Sequence, residues 1–511
     1  MLIVWLSVLI SCFICASLLV ATMWQRFSNA PTVTVVKDTH LPLHLFPFPA
    51  ISICPNNKIK RTVAIEYISR YVNVSDQNTI QKVHFFLNVL SLFQHPYYSR
   101  MLEYLDECEE ILPDLEKINI TDLMIMSLPA CRELLLECSW HGKPENCCEL
   151  FSLQRSEEGF CYTFNSMTSQ KHNQCNDLQN TLTDKDTLHK KHNDFNMECI
   201  LRRNTAAGAA TGMEVFMKGM SSSEFLPDQL NFVRYSGVRV QVHHVTEYPE
   251  AGMGFPVPAE HGTKMSATVK PSLTRSTDAI RNLPVNVRNC YFADEKHLGV
   301  SNSYTEKSCL IECRLDYLFE VCGCRPYYFN LLDNTIPVCN ASRLRCVAEH
   351  SVELRFFSPP TETLRGFEEQ EMFSPLNCSD CLPTCHENMY DVDNELIKDT
   401  MPMSQTSFGY LDIYYKNEGA VKYQRDVTFG WLDLLVSFGG IAGLFLGFSL
   451  LSIVEVVYWA IKFSCLIMNF DNKVLPAPNR KIFVRELTMN KKAHKKARLI
   501  NPGQIRNQKR F

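Results

Sequence analysis

Two uninterrupted apolar runs at opposite ends of the chain restrict its architecture more than any other feature. The first, Leu2 to Met23, holds about 22 residues without a charge, enough for a helix to cross roughly 30 Å of hydrocarbon. A cleaved signal peptide would carry a basic start and an apolar stretch of only about 7–15 residues, so residues 1–23 are read as a retained span. The second run, Leu434 to Ile461, would measure about 42 Å as one straight helix and must tilt, break or protrude. The expected organisation is a first transmembrane helix at 1–23, a central domain at 24–430, a second transmembrane helix at 431–461 and a tail at 462–511.

Charge orients these parts. The tail carries thirteen Lys or Arg against two acids, including NKKAHKKAR at Asn490 to Arg498, and the positive-inside rule assigns it to the cytoplasm. Two spans then put the amino terminus on the same side and the central domain outside. Without the tail, the chain totals of 51 basic and 55 acidic residues fall to 38 and 53, a net charge of about −15 that would enrich cations near the outer surface. Salt limits that enrichment to roughly 8 Å.

Nineteen of the 22 cysteines lie between the runs, which places the central domain in an oxidising compartment. The sequons at Asn73, Asn119, Asn340 and Asn377 fall in the same region. Zinc ligation by the CSDC stretch, Cys378 to Cys381, competes poorly with disulfides there, and no metal is expected.

In the second run Gly439, Gly443 and Gly447 recur every fourth residue and would form one bare helical stripe. Within lipid such a stripe serves close helix packing or exposes backbone carbonyls. Glu455 lies in the same run, where a charge costs at least ~2.5–3.5 kcal/mol. No basic residue between Thr428 and Ile461 can pair with it, which leaves protonation, the inner edge of the bilayer or a cation pathway. One such helix cannot enclose a pore, so a conducting form must be oligomeric.

Four blocks then carry a family resemblance: FPFPAISICPN (Phe46 to Asn56), GFCYTFN (Gly159 to Asn165), the cysteine-rich SYTEKSCLIECRLDYLFEVCGCRPYYF with NCSDCLPTC, and GLFLGFSLLSIVE. In this order they resemble the degenerin and epithelial sodium channel family, most closely its insect pickpocket branch, over nearly the whole chain. The resemblance implies an α+β membrane protein in which two transmembrane helices flank a large disulfide-rich extracellular domain, with a palm sheet and a helical finger and thumb, assembled as a trimer. It implies the bridges Cys54–Cys161, Cys290–Cys385, Cys309–Cys381, Cys313–Cys378, Cys322–Cys346, Cys324–Cys339, and Cys138 with Cys148 or Cys147. Cys108, Cys131, Cys175, Cys199 and one of the Cys147/Cys148 pair are left over.

The implied function is a subunit of an amiloride-sensitive, voltage-independent sodium channel of the plasma membrane, with both termini cytoplasmic and no cofactor besides the permeant sodium ion. Partners would be identical or related subunits and membrane lipid, not nucleic acid, and the gating ligand is open. Gly447, Phe448 and Ser449 match the family's selectivity filter, where a break in the helix would also resolve the excess length of the second run, with Val436, Ser437, Gly439, Gly440, Gly443 and Glu455 lining pore and gate. The family's amino-terminal His-Gly motif is not seen, Val436 stands where the family has a small residue, and Tyr458 stands where several relatives carry another acid. The rival readings are a non-conducting accessory subunit and a two-span scavenger-receptor-like lipid-binding protein. The latter needs neither the glycine stripe nor an intramembrane acid.

Ser236 to Val245 and Ser407 to Lys416 read as palm strands, and Leu123 to Trp140 as a finger helix around a proline. The polar stretch from His172 to Asn193 and the NTAAGAATG stretch read as surface loop. No phosphate-cradling glycine loop, HExxH or nucleophile elbow is found, so an enzyme is not expected, and His243 and His244 are read as strand surface.

Overall fold

The computed structural model describes residues 2–29, 32–169, 201–227, 236–259, 263–301, 303–329, 336–359, 366–372, 374, 376–398, 408–447 and 449–470. They fall into two units, Arg26–Gly430 and the terminal segments Met1–Gln25 with Trp431–Phe511. The basic tail beyond 470, the His172 to Asn193 stretch, Cys175, Cys199 and Phe448 lie outside the described residues.

In the terminal unit, Leu2–Asn29 is one helix, and its Ile3–Ser28 portion is long and apolar enough to cross a membrane. Three of the hydroxyls that interrupt its apolar surface are internally satisfied: Ser7, Ser17 and Thr22 each donate to a carbonyl one turn back, at 2.8 Å. The carboxy-terminal apolar run forms two helices, Trp431–Leu446 and Leu450–Phe470.

The central unit is built on two sheets. The larger runs β1 (Thr32–Pro42), β13 (Gly419–Val427), β10 (Thr263–Ser276), β12 (Gly409–Tyr415), β7 (Met213–Met217), β3 (Leu135–Trp140) and β4 (Lys143–Glu145), with β11 (Glu387–Lys398) paired to β10 outside that path. The smaller runs β5 (Phe151–Ser156), β6 (Gly159–Phe164), β2 (Ala50–Pro55), β8 (Gly237–His243) and β9 (Phe255–Pro258). The long β10 changes neighbours along its length: Thr263 to Val269 run parallel to β12, and Ser272 to Ser276 run parallel to β13. Pro271 stands at that handover, where neither parallel partner requires the N–H that proline lacks.

Two sequence expectations are corrected here. The Leu123 to Trp140 stretch is helical only over Ile120–Ser127 and Cys131–Leu134, and then becomes β3. Pro129 forces Leu128 into an extended conformation (ψ 140) that ends the helix, and Leu135 to Trp140 then gain ladder partners in β7 and β4. The Ser236 to Val245 stretch is a strand, but it belongs to the smaller sheet, between β2 and β9. Gly409 to Tyr415 does lie in the larger sheet, and the NTAAGAATG stretch is loop.

The two sheets share a core whose hinge is aromatic. Phe48 meets Trp140 at 4.9 Å and Tyr415 at 5.0 Å, both edge-on, and Trp140 meets Phe164 at 5.2 Å. Residues from the FPFPAISICPN and GFCYTFN blocks therefore pack against the ends of β3 and β12. Asn165, in a left-handed conformation (φ 58), fixes the junction: its Nδ2 donates to the Phe48 carbonyl at 2.5 Å, and its Oδ1 accepts from the Arg202 N–H at 2.7 Å. Asparagine suits this place because it tolerates positive φ and offers both a donor and an acceptor.

The 17-residue helix Glu306–Cys322 begins at Thr305, whose Oγ1 accepts from the Ser308 N–H at 3.2 Å, and stops at Gly323 with φ 64. Cys309 and Cys313, one turn apart on one face, are bonded to Cys381 and Cys378. The remaining described bridges are Cys54–Cys161, Cys290–Cys385, Cys322–Cys346, Cys324–Cys339, Cys138–Cys147 and Cys131–Cys148. Cys138 is thus joined to Cys147 and not to Cys148. Its β3 neighbourhood faces the first residue of the Cys147–Leu150 turn, while the next residue points toward Cys131 at the head of the preceding turn.

Candidate pore segment

The carboxy-terminal apolar run breaks because its sequence supplies a stop and a start three residues apart. Gly447 adopts φ 65, a left-handed conformation that a Cβ would strain, and it follows the last helical residue, Leu446. Ser449 then caps the next helix: its Oγ accepts from the Ser452 N–H at 3.2 Å, and its own N–H points back to Ser452 Oγ at 3.4 Å. A helix end leaves carbonyls of its last turn without intrahelical donors; the Gly447 stop can answer one through its own N–H, and the others up to Leu446 are open to partners from outside the helix.

Gly447 therefore does not extend the stripe expected at Gly439 and Gly443. Those two share a face of the first helix, but the break ends the helical repeat before residue 447, and Gly447 serves as the terminator. A Cβ at Gly439, Gly440 or Gly447 would meet nothing within 4 Å. Val436 is 67% exposed and Ser437 half-buried on the same helix. Glu455 is exposed on the second helix, and further along that helix Lys462 Nζ sits 4.8 Å from the Trp459 ring centroid. The segment thus presents an apolar helix, a polar break and a second helix bearing one acid.

The central unit holds the other expected positions. Asn73, Asn119 and Asn377 are exposed, and Asn340 is half-buried with its Nδ2 bonded to Glu116. Asn119 also caps the Ile120–Ser127 helix through Oδ1, which leaves that role intact if Nδ2 carries a glycan. His243 is not strand surface: it is buried, with Nε2 2.9 Å from Ser52 Oγ, and burial lowers its pKa to about 4. His244 is half-buried, its Nδ1 2.7 Å from Thr246 Oγ1 and its Nε2 2.9 Å from Asn388 Nδ2. Cys322, Cys346 and His350 approach one another within 4.8 Å, but the two sulfurs are joined to each other and offer no thiolate.

One cluster escaped sequence reading. Arg314, buried on the Glu306–Cys322 helix, reaches Glu157 in the β5–β6 turn at 2.9 and 3.1 Å and Glu250 in the β8–β9 loop at 3.1 Å. Nothing local in the sequence links these residues. The one available sign was a charged residue interrupting the inward face of an amphipathic helix.

With this geometry in view, the chain matches the protein-family model for amiloride-sensitive sodium channels over residues 2–459, and it belongs to that family. Members of the family are ion channels and not enzymes. Among individual proteins, it is 22% identical to sodium channel protein Nach of Drosophila melanogaster over 468 residues, covering 89% of this chain and 81% of the relative. Pickpocket protein 19 of the same fly is 23% identical over 468 residues, covering 89% of this chain and 84% of the relative. Acid-sensing ion channel 1C of Danio rerio is 25% identical over 362 residues, covering 67% of this chain and 57% of the relative.

Proposed function

We propose that the chain is a subunit of a trimeric, amiloride-sensitive, voltage-independent sodium channel of the plasma membrane, whose pore is lined by the broken carboxy-terminal helix. Residues 24–430 lie outside the cell and both termini inside. The observation that carries this reading is the break itself: irregular backbone at membrane depth is tolerated where it lines a wet path, not where it meets lipid. Three copies would present rings of freed carbonyls and of Ser449, hard oxygen ligands that partly replace the hydration shell of sodium. Gly447, Phe448 and Ser449 form the filter in this arrangement, and Glu455 adds a ring of negative charge on the cytoplasmic side. Val436 lies near the outer gate, where its bulk opposes closure.

The test is voltage clamp of cells expressing the chain, alone and with related subunits, under sodium replacement. A sodium current blocked by amiloride, with a reversal potential that moves in Gly447 and Ser449 variants, is the expected result. A current whose ion preference is the same across that series removes the filter assignment. No current in any subunit combination, with the protein at the cell surface, favours the accessory reading.

A further inference from the structure

The four sequons differ in what the fold does with their acceptor groups. Asn73 and Asn377 are exposed; their side-chain oxygens accept from Ser75 Oγ and from the Ser379 N–H, and their Nδ2 atoms have no partner among the described residues. Asn119 is exposed too, and its Nδ2 meets only Asp122 of its own first helical turn, at 2.8 Å, a local surface contact for which water is nearly an equal partner. Asn340 is half-buried, and the residues on either side of it, Cys339 and Ala341, are each 1% exposed. Its Nδ2 donates to Glu116 Oε1. The hydroxyl that completes the sequon, Ser342 Oγ, donates to the same oxygen at 3.2 Å and lies 3.2 Å from Asn340 Oδ1. Glu116 therefore engages both groups that make Asn-Ala-Ser a glycan acceptor.

A glycan replaces one amide hydrogen with a bulky polar chain. From Asn73, Asn119 and Asn377 that chain leaves straight into solvent. From Asn340 it would start between two buried neighbours, on a nitrogen that faces a carboxylate, and beside a segment whose next sequon, Asn119, is three residues beyond Glu116. The order of synthesis favours the fold over the transferase. Glu116 precedes Asn340 by 224 positions, so at about 5–20 residues per second it leads by roughly 10–45 s, whereas a helical turn forms within about a microsecond. On the amino side of Asn340, Cys339 is bonded to Cys324 only 15 positions back, which restrains the chain next to the acceptor.

We propose that Asn73, Asn119 and Asn377 carry N-linked glycans while Asn340 stays bare, and that the bare sequon acts as a clamp between the segment after the Leu112–Leu115 turn and the start of the Leu344–Glu349 helix. The same seam carries Arg345 Nη2 at 2.8 Å from Asp106 and 3.9 Å from Glu109, so a sugar-free strip of polar contacts joins two helical segments far apart in the chain. A glycan at Asn340 would split that strip. The proposal rests on the placement of residues 24–430 outside the cell, because only sequons on that side meet the transferase.

The full chain, expressed in animal cells, is treated with peptide N-glycosidase in heavy-oxygen water, which leaves a labelled aspartate wherever a glycan stood. Peptide mass spectrometry is expected to find the label at positions 73, 119 and 377 and unchanged asparagine at 340. On gels, Asn340→Gln should leave the mobility unchanged, and each of the other three Asn→Gln variants should remove one glycan step. Glu116→Ala, at an exposed position, releases the sequon and should add one step, which Asn340→Gln in the same chain removes. Glu116→Gln keeps an oxygen acceptor and should add none. Label at Asn340 in the wild-type chain, lack of label at any of the other three sites, or no added step in Glu116→Ala overturns the proposal. Label that appears at Asn340 in Asn119→Gln also overturns it, because crowding by the neighbouring glycan, and not Glu116, would then keep the site bare. Label at all four sites overturns this proposal alone, whereas label at none counts against the outside placement as well.

Discussion

Replacing Arg314 with methionine would take away the guanidinium that bridges Glu157 and Glu250 while keeping most of the side-chain volume. Arg314 is 7% exposed and Glu157 2%, and Arg314 Nη1 donates to both Glu157 carboxylate oxygens, at 2.9 and 3.1 Å. Glu157 keeps one further donor, the Ala251 N–H at 3.2 Å. Burial, with the nearby Glu250 carboxylate adding to it, already lifts the Glu157 carboxyl above its ordinary range with Arg314 in place. Breaking a buried pair by removing one partner costs about 3–5 kcal/mol, because the remaining charge is stranded. In Arg314→Met, Glu157 must be either ionised and unpaired or protonated.

The sign of the pH dependence follows. An acid whose folded pKa lies above its unfolded value destabilises the fold as pH rises through that folded pKa, and this penalty fades at lower pH where both states are protonated. The Arg314→Met deficit should therefore be largest near pH 8 and shrink toward pH 5. Adding Glu157→Gln supplies a neutral amide of the same shape, and the double variant should recover more than half of the loss and lose its pH dependence. The measurement is thermal unfolding of the detergent-purified full chain for wild type, both single variants and the double variant. Single-variant losses that add to within about 0.5 kcal/mol, with no pH trend, would show that Arg314 acts through packing over Phe357 and not through charge.

Three further outcomes are expected. Cys148→Ser should free the thiol of Cys131 and leave Cys138 bonded to Cys147, as read by differential alkylation and mass spectrometry; the lost 17-residue closure should cost about 3 kcal/mol. Asp412, 1% exposed beside Glu214 on β7, has its carboxyl lifted to about 6 by burial, so Asp412→Asn should stabilise the protein by roughly 2–3 kcal/mol at pH 7.5 and not at pH 4; equal effects at both pH values would refute the desolvation account. Gly447→Ala places a Cβ at φ 65 and should cost about 1 kcal/mol locally, seen as lower surface abundance; Gly439→Ala, in helical backbone with open space around it, should not.

What the sequence made legible is what local chemistry decides. The apolar amino-terminal run became a helix, the FPFPAISICPN and GFCYTFN blocks became paired strands, and Cys54 met Cys161 because β2 and β6 are neighbours in one sheet. The errors arose where a partner far along the chain decided the outcome. Leu135 to Trp140 carries helical spacing, but β7, more than seventy residues on, offers it a ladder. The residue types of Gly237 to His243 alternate although most of the strand is buried, and alternation carries no information about which of two sheets it joins. Arg314 and Glu157 are separated by 157 positions, beyond the reach of any periodicity.

Gly447 shows a different limit: its spacing after Gly443 suggested a third stripe position, while the family resemblance suggested a break at 447–449, and the chain has the break. A bare helix face and a left-handed helix stop both require a residue without a Cβ, so a glycine at the fourth position after Gly443 fits either use. The distinguishing sign lay two residues downstream. Ser449 and Ser452 stand three apart with apolar residues between and after them, the arrangement of a helix start, and a chain that starts a helix at 450 must have ended the previous one. Reading stop and start signals together, even inside a run apolar enough for lipid, locates from the residues themselves the break that the resemblance suggested at 447–449, and with it the carbonyls at the helix end.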